Sequence, residues 1–168
     1  MNNFKEKNYR PCVGIVLIKN GWIFAGQRLD HKSNAWQMPQ GGIEENETTE
    51  KAAIRELKEE TGIKKKQIKI ILETKNWINY DLPKDLVPQL WNGKFVGQKQ
   101  KWFAMEFLGN DSDININTSS PEFSNWQWMT KNKLLESIVP FKKRVYENIL
   151  SQFSIKINLK KFIYQFFF

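Results

Sequence analysis

The segment that most constrains this chain is a short helix with three carboxylates on one face. Residues Thr49–Thr61 (TEKAAIRELKEET) read as helical, with Thr49 as N-cap, Glu50 in the first turn and Gly62 as the stop. With Glu56 set at zero, Glu59 falls near −60° and Glu60 near +40°, so the three share an arc of about 100°. Small Ala52, at about −40°, is expected to leave that face open to a ligand. Ala53, Leu57, Thr61 and Ile54 run from about +60° to +160° and form the stripe to be buried. Like charges on neighbouring ridges repel, and the last turn of a helix favours cations instead. Divalent cations would supply the missing charge, and hard oxygen ligands favour magnesium or manganese. From the helix alone, a solvated glutamate face with Arg55 and Lys58 as partners remains the alternative.

Strand signals surround this helix. Residues 10–18 (RPCVGIVLI) are rich in β-branched side chains, Asn20-Gly21 marks a hairpin turn, and residues 22–27 read as the returning strand. Residues 36–42 (WQMPQGG) read as a shaped loop, because Pro39 and two glycines punctuate them. Further strand-like runs fall at 68–73, 76–80, 100–107 and 123–129. Phe141, Val145, Ile149, Leu150 and Phe153 share one helical face. The pattern predicts one mixed α/β domain over residues 1–153, with strands enclosing at least one central helix. Residues 154–168 form a basic, Phe-rich tail, expected to pack on the domain and too short in apolar length to span a bilayer.

Composition removes several function classes. The chain has 168 residues, and its single histidine, His31, excludes any site needing two imidazoles from one chain. The single cysteine, Cys12, excludes an internal disulfide framework and fits the reducing cytoplasm. His31 reads as a surface imidazole and Cys12 as a core thiol. The start of the sequence (MNNFKEKNYRP) lacks an apolar run, so no signal peptide is expected. The net charge of +8 is uneven: residues 131–168 carry eight basic side chains against Glu136 and Glu147. Residues 43–60 carry seven glutamates against three basic residues. A basic shell around an acidic centre suits a polyanion held over metal ions, although a lysine-rich solubilising surface gives the same arithmetic.

From Gly41 the chain runs five residues to Glu47, seven more, then Arg55-Glu56-Leu57-Lys58-Glu59-Glu60-Thr61-Gly62-Ile63. This resembles the Nudix box at every fixed position. The resemblance implies the Nudix fold, an α/β/α sandwich with a mixed central sheet and the box as a loop–helix–loop. It implies a hydrolase acting on phosphoric anhydride bonds, using two or more Mg2+ or Mn2+ ions. By the same resemblance Gly41, Glu56, Glu59 and Glu60 are metal-site residues, with Glu56, Glu59 and Arg55 carrying catalysis. Glu47 and Gly62 would hold the box together.

Tyr9-Arg10-Pro11, WQMPQGG at 36–42, Tyr80-Asp81-Leu82-Pro83, GQKQKWF at 97–103 and Pro121-Glu122-Phe123 extend the likeness over about residues 8 to 153. They are similar to one subgroup, the bacterial RNA pyrophosphohydrolases and the related dinucleoside polyphosphate hydrolases. That subgroup implies a further metal-site carboxylate at Glu122 and a substrate contact at Gln40. It also implies a clamp on the first-transcribed base between Arg28 and Phe141, where a guanidinium plane and a ring would stack on any base. Phe141 could equally be the first core residue of its helix. Lys99, Lys101, Lys142 and Lys143 are candidate phosphate contacts, with solvated lysine the alternative for each. The expected partner is 5′-triphosphate RNA, to which the charge leans, or a dinucleoside polyphosphate, and not DNA. A binding module that has lost catalysis is disfavoured by the intact Glu56, Glu59 and Glu60.

Overall fold

The computed structural model describes residues 8–29 and 35–165, with side chains through 154; the readings of His31, the N-terminal segment and the tail's packing lie outside the described residues. Strands β1 (Tyr9–Lys19) and β2 (Trp22–Arg28) meet at Asn20-Gly21, whose φ values of 51° and 84° are those a tight hairpin needs. Only Ile18 with Ile23 and Lys19 with Trp22 pair across that hairpin. Beyond it the two strands part. Residues 36–42 fill the gap as two short strands rather than a loop: β3 (Trp36–Gln37) pairs with β2, and β4 (Gln40–Gly42) pairs with β1. Pro39 separates them, since its ring cannot donate to a ladder.

The eight-stranded sheet is completed by β5 (Ile68–Glu73), β6 (Ile78–Asp81), β7 (Gly97–Phe107) and β8 (Phe123–Met129). Strand β7 runs parallel to β1 from Tyr9 opposite Gly97 to Ile18 opposite Glu106, and takes β5 and β6 antiparallel on its other edge. Strand β8 is antiparallel to β2.

Alternation along β1 and β7 divides the core in two. Val13, Ile15, Leu17, Phe103 and Met105 face α1 (Thr49–Thr61). Val16, Trp102 and Ala104 face α2 (Lys131–Ser137) and α3 (Pro140–Gln165). The helices therefore flank the sheet, which corrects the expectation that strands enclose a helix. A strand covered on both faces must be apolar throughout, which is why residues 12–17 show no polar alternation.

The α1 bounds match the sequence reading, but the N-cap is Thr48, whose hydroxyl accepts from the Lys51 N–H at 3.3 Å. Gly62, at φ 72°, donates its N–H to the Lys58 carbonyl and ends the helix. Ala52 is 0 % exposed and packs in the core, so it does not open a ligand face. Glu56 and Glu60 are buried as well, so the covered arc extends from Ala52 around to Ile54 and only the Glu59 side meets solvent. Helix α3 buries Val145, Ile149, Leu150 and Phe153 as its periodicity predicts, and then runs on to Gln165. The domain boundary expected after residue 153 thus falls within one helix. No helix among the described residues is long and apolar enough to cross a membrane.

Candidate active site

Two candidate functional regions grow from this frame, one acidic and one basic. Arg55 organises the first. Its Nε and Nη2 donate to the two carboxylate oxygens of Glu47 at 2.9 Å each, and Nη2 also reaches the Gly42 carbonyl at 2.8 Å. Nη1 donates to Glu56 at 2.9 Å and Glu59 at 3.0 Å. A bidentate fork of this kind fixes geometry as well as charge. The hydrogen bond from Arg55 holds the Glu47 carboxyl below its usual range, and Glu47 in return raises the guanidinium pKa. Glu47 and Gly62 thus hold the two ends of the loop–helix–loop.

Glu60 is 2 % exposed and Glu56 is 8 % exposed. Burial pushes both carboxyls upward. For Glu60 the push is strong, because Glu122 and Glu56 add like charge and only the Gln40 N–H, at 3.3 Å, favours the anion. Glu122 enters from the segment before β8, tethered where its carbonyl accepts from the Leu29 N–H at 3.0 Å. These carboxylates, with Glu59, Ser119 and Ser120, line a pocket of about 240 Å³. Gly41 lies directly against one of these carboxylates: a Cβ there would collide with the carboxyl group of Glu56.

A divalent cation fits this donor set. The site offers hard oxygens, a buried carboxylate that no side-chain cation among the described residues meets, and a cradle that only glycine leaves open. As the side chains stand, no three acidic groups among the described residues enclose a single point. Arg55 accounts for part of this, since it draws Glu56 and Glu59 toward its own fork. Binding would require those two side chains to turn from the guanidinium.

The second region is a cleft of about 460 Å³ on the α3 side of the sheet. Arg10 from β1, Arg28 from β2 and Lys142 from the first turn of α3 line it. Gln37 joins two of them, its Oε1 accepting from Arg28 at 3.1 Å and from Lys142 at 3.3 Å. Lys142 is 5 % exposed, an unusual burial for an ammonium group. Tyr146, one turn on, accepts a hydrogen bond from the Met38 N–H at 3.1 Å and so anchors α3 to the residues between β3 and β4. Phe141 and Tyr80 form an aromatic wall with ring centroids 6.1 Å apart. Glu56 and Glu122 line the cleft as well as the acidic pocket, so the two cavities adjoin along these side chains. The Gln40 side chain also reaches the cleft, and its buried Oε1 has no hydrogen-bond partner.

Arg28, Phe141, Gln40, Gly41 and Glu122 are therefore brought together with the α1 carboxylates. Lys99 and Lys101 are not. On β7 it is Gln98 and Gln100 that share the buried face with Trp102, and the intervening lysines point away from it. Lys99 lies over the Trp77 ring at 5.6 Å, while Lys101 donates to the Thr74 and Lys75 carbonyls at 2.7 and 3.0 Å. Lys143 is exposed outside the cleft lining. Cys12 is a buried core thiol, pushed up to about 11 by desolvation. Arg10, Gln37 and Gln98 lie within the motifs that carry the subgroup resemblance, but the sequence reading gives them no substrate role; those motifs are the signal that could have found them.

The NUDIX domain family matches residues 8–149. The RNA pyrophosphohydrolase of Dinoroseobacter shibae is 52% identical over 147 residues, covering 87% of this chain and 92% of the relative. That of Rickettsia canadensis is 50% identical over 163 residues, covering 94% and 100%. Among solved structures, the E. coli dihydroneopterin triphosphate pyrophosphohydrolase superposes with TM-score 0.68 at 20% identity, covering 87% of this chain and 99% of the other. A C. elegans Ap4A hydrolase complex gives 0.62 at 21% identity, covering 86% and 98%. Members of the family generally use divalent metal ions. With its box intact from Gly41 to Ile63 and the matching fold around it, the chain belongs to the NUDIX family.

Proposed function

We propose that this protein is an RNA pyrophosphohydrolase that converts 5′-triphosphate RNA ends to monophosphate ends, the step that opens a transcript to 5′-end-dependent decay. The observation that carries this reading is the junction at Glu56 and Glu122, where a cleft lined by Arg10, Arg28 and Lys142 adjoins a pocket of buried carboxylates. A polyphosphate lying across the junction would meet fixed cations on one side and metal ligands on the other. The basic charge of the chain and the names of its half-identical relatives support RNA as the substrate.

Glu56, Glu59, Glu60 and Glu122, with the Gly41 backbone, would hold two or more Mg2+ or Mn2+ ions. These would neutralise charge on the phosphate oxygens and favour ionisation of the attacking water. Arg28 and Phe141 would stack on the first base, and that contact sets which anhydride bond lies over the carboxylates. Arg10 and Lys142 would grip the phosphates as a fork and a point charge. Gln40, through its unpaired Oε1, would accept a hydrogen bond from the substrate or an ordered water. Water attacks the phosphorus next to the ribose, the P–O bond to pyrophosphate breaks, and a carboxylate of the Glu56 and Glu59 pair takes the proton. Arg55, bonded to both, keeps that pair oriented. The cytoplasm is the expected place of action, since transcripts are made there in bacteria.

The test is a side-by-side assay with magnesium, offering 5′-triphosphate RNA and diadenosine tetraphosphate at equal concentration. Faster release of pyrophosphate from RNA is the expected result. Faster cleavage of the dinucleotide would replace this reading with a dinucleoside polyphosphate hydrolase.

A further inference from the structure

Arg10 stands apart from the other cleft cations. Arg28 and Lys142 both donate to Gln37, whereas among the described residues the Arg10 guanidinium makes no hydrogen bond or ion pair. Its charged group instead meets an aromatic ring. The guanidinium carbon lies 5.1 Å from the centroid of the Trp91 ring, and both side chains line the cleft. Arg10 also lies against Gly42, where a Cβ would collide with Nη2, so its tip is close to the strand that leads into the metal-site loop.

Trp91 is delivered at some cost. It belongs to the connection between β6 and β7, and it and Asn92 are consecutive non-glycine residues at φ 48° and 54°. Left-handed backbone is unfavourable for an L-residue, and more so for a bulky one. The turn is secured by the Gly93 N–H to the Leu90 carbonyl at 3.0 Å, and by Phe95 set edge-on to the indole at 6.0 Å. The stacking chemistry is selective. A ring engages the guanidinium charge without the acceptor lone pairs of a carboxylate, so N–H donors stay available to an oxyanion.

We infer that Trp91 is a positioning residue for Arg10, its indole holding the guanidinium so that N–H donors are offered to a phosphate group in the cleft. This rests on the polyphosphate reading of the cleft, but not on RNA as the substrate. An ion pair in place of the ring would fix Arg10 equally well but would occupy the donors the phosphate needs. The indole immobilises the side chain without competing for them.

The experiment is a double-mutant cycle on the full chain, using Trp91→Leu, Trp91→Phe, Arg10→Gln and Arg10→Gln with Trp91→Leu. Calorimetric binding of inorganic tripolyphosphate with magnesium is the first readout, and KM and kcat on 5′-triphosphate RNA the second. Trp91→Leu should weaken tripolyphosphate binding and raise KM by about three- to tenfold, the range of a half-exposed cation–π contact, with kcat changed less than about twofold. Trp91→Phe should recover most of the loss, and in the Arg10→Gln background Trp91→Leu should add nothing. The Arg10 Nε–H resonance should lose its ring-current shift in the leucine variant and keep most of it in the phenylalanine variant. An equal effect of Trp91→Leu in both Arg10 backgrounds overturns the inference, as does unchanged binding in the folded leucine variant. If Trp91→Leu fails to fold, the cycle is run with Trp91→Phe, whose equal effect in both backgrounds is equally fatal. A parent protein that binds no tripolyphosphate overturns both this inference and the polyphosphate reading. A parent that binds it but prefers the dinucleotide to RNA overturns the substrate assignment alone.

Discussion

Arg55 and Glu60 lie five residues apart on one helix, yet protein groups answer the charge on the first and leave that on the second exposed to repulsion. Arg55 has two oxygens of Glu47, the Gly42 carbonyl and two further glutamates around it. Glu60 is almost fully buried among carboxylates and takes only the weak 3.3 Å contact from the Gln40 N–H. One side of α1 is organised for stability. The other holds a deficit of positive charge that an apolar or amide side chain would remove, the feature on which the proposed metal site rests.

The sharpest way to break this comparison is Glu60→Gln. Turnover should fall by roughly a hundredfold or more, because a metal ligand is lost. The melting temperature of the metal-free protein should hold or rise, because a repelled buried charge is removed. The rise in melting temperature on adding magnesium should shrink. Thermal scans with and without magnesium, beside a turnover assay, check all three, and a variant that loses stability in step with activity refutes the contrast. Glu56→Gln should likewise lower turnover at an α1 residue that lines both cavities, although its carboxylate already bonds Arg55.

The comparison extends into the cleft. Phe141→Ala should weaken use of 5′-triphosphate RNA by about 1–3 kcal/mol, the worth of one stacked base, while leaving tripolyphosphate binding nearly unchanged. Circular dichroism must show the variant folded, since Phe141 also packs toward Tyr80. On the satisfied side, Glu47→Gln should cost about 1–2 kcal/mol of stability by weakening the Arg55 fork, with a smaller effect on turnover than any ligand substitution. Denaturant unfolding measures it. The smallest effect is in acid. Arg55 holds the Glu47 carboxyl below its unfolded value, so its contribution is present above about pH 4.3 and lost as pH falls through the folded value. The stability gap between parent and Glu47→Gln should therefore close at low pH.

Sequence alone determined the box and most of the longer elements, though not α2. The bounds of α1, the turn at Asn20-Gly21 and the apolar stripe of α3 depend on local propensity, periodicity and capping, which are written in neighbouring residues. The three glutamates on one arc followed from the helical repeat, and the pairing of Glu59 with Arg55 from i, i+4 spacing. What lay on the other side of each element was not local. The burial of Ala52 and Glu60 depends on a sheet assembled from strands up to a hundred residues away, and the strands at residues 36–42 exist because β1 and β2 part and leave backbone groups to be paired. Whether Lys99 or Gln98 faces the cleft turns on which face of β7 packs against α3, a single choice of register that flips every side chain together. The meeting of Arg10 with Trp91 joins residues 81 positions apart, brought close by the parallel pairing of β1 with β7, and no local rule encodes it. Only the tertiary structure decided those contacts, because packing energy depends on partners that sequence spacing does not name.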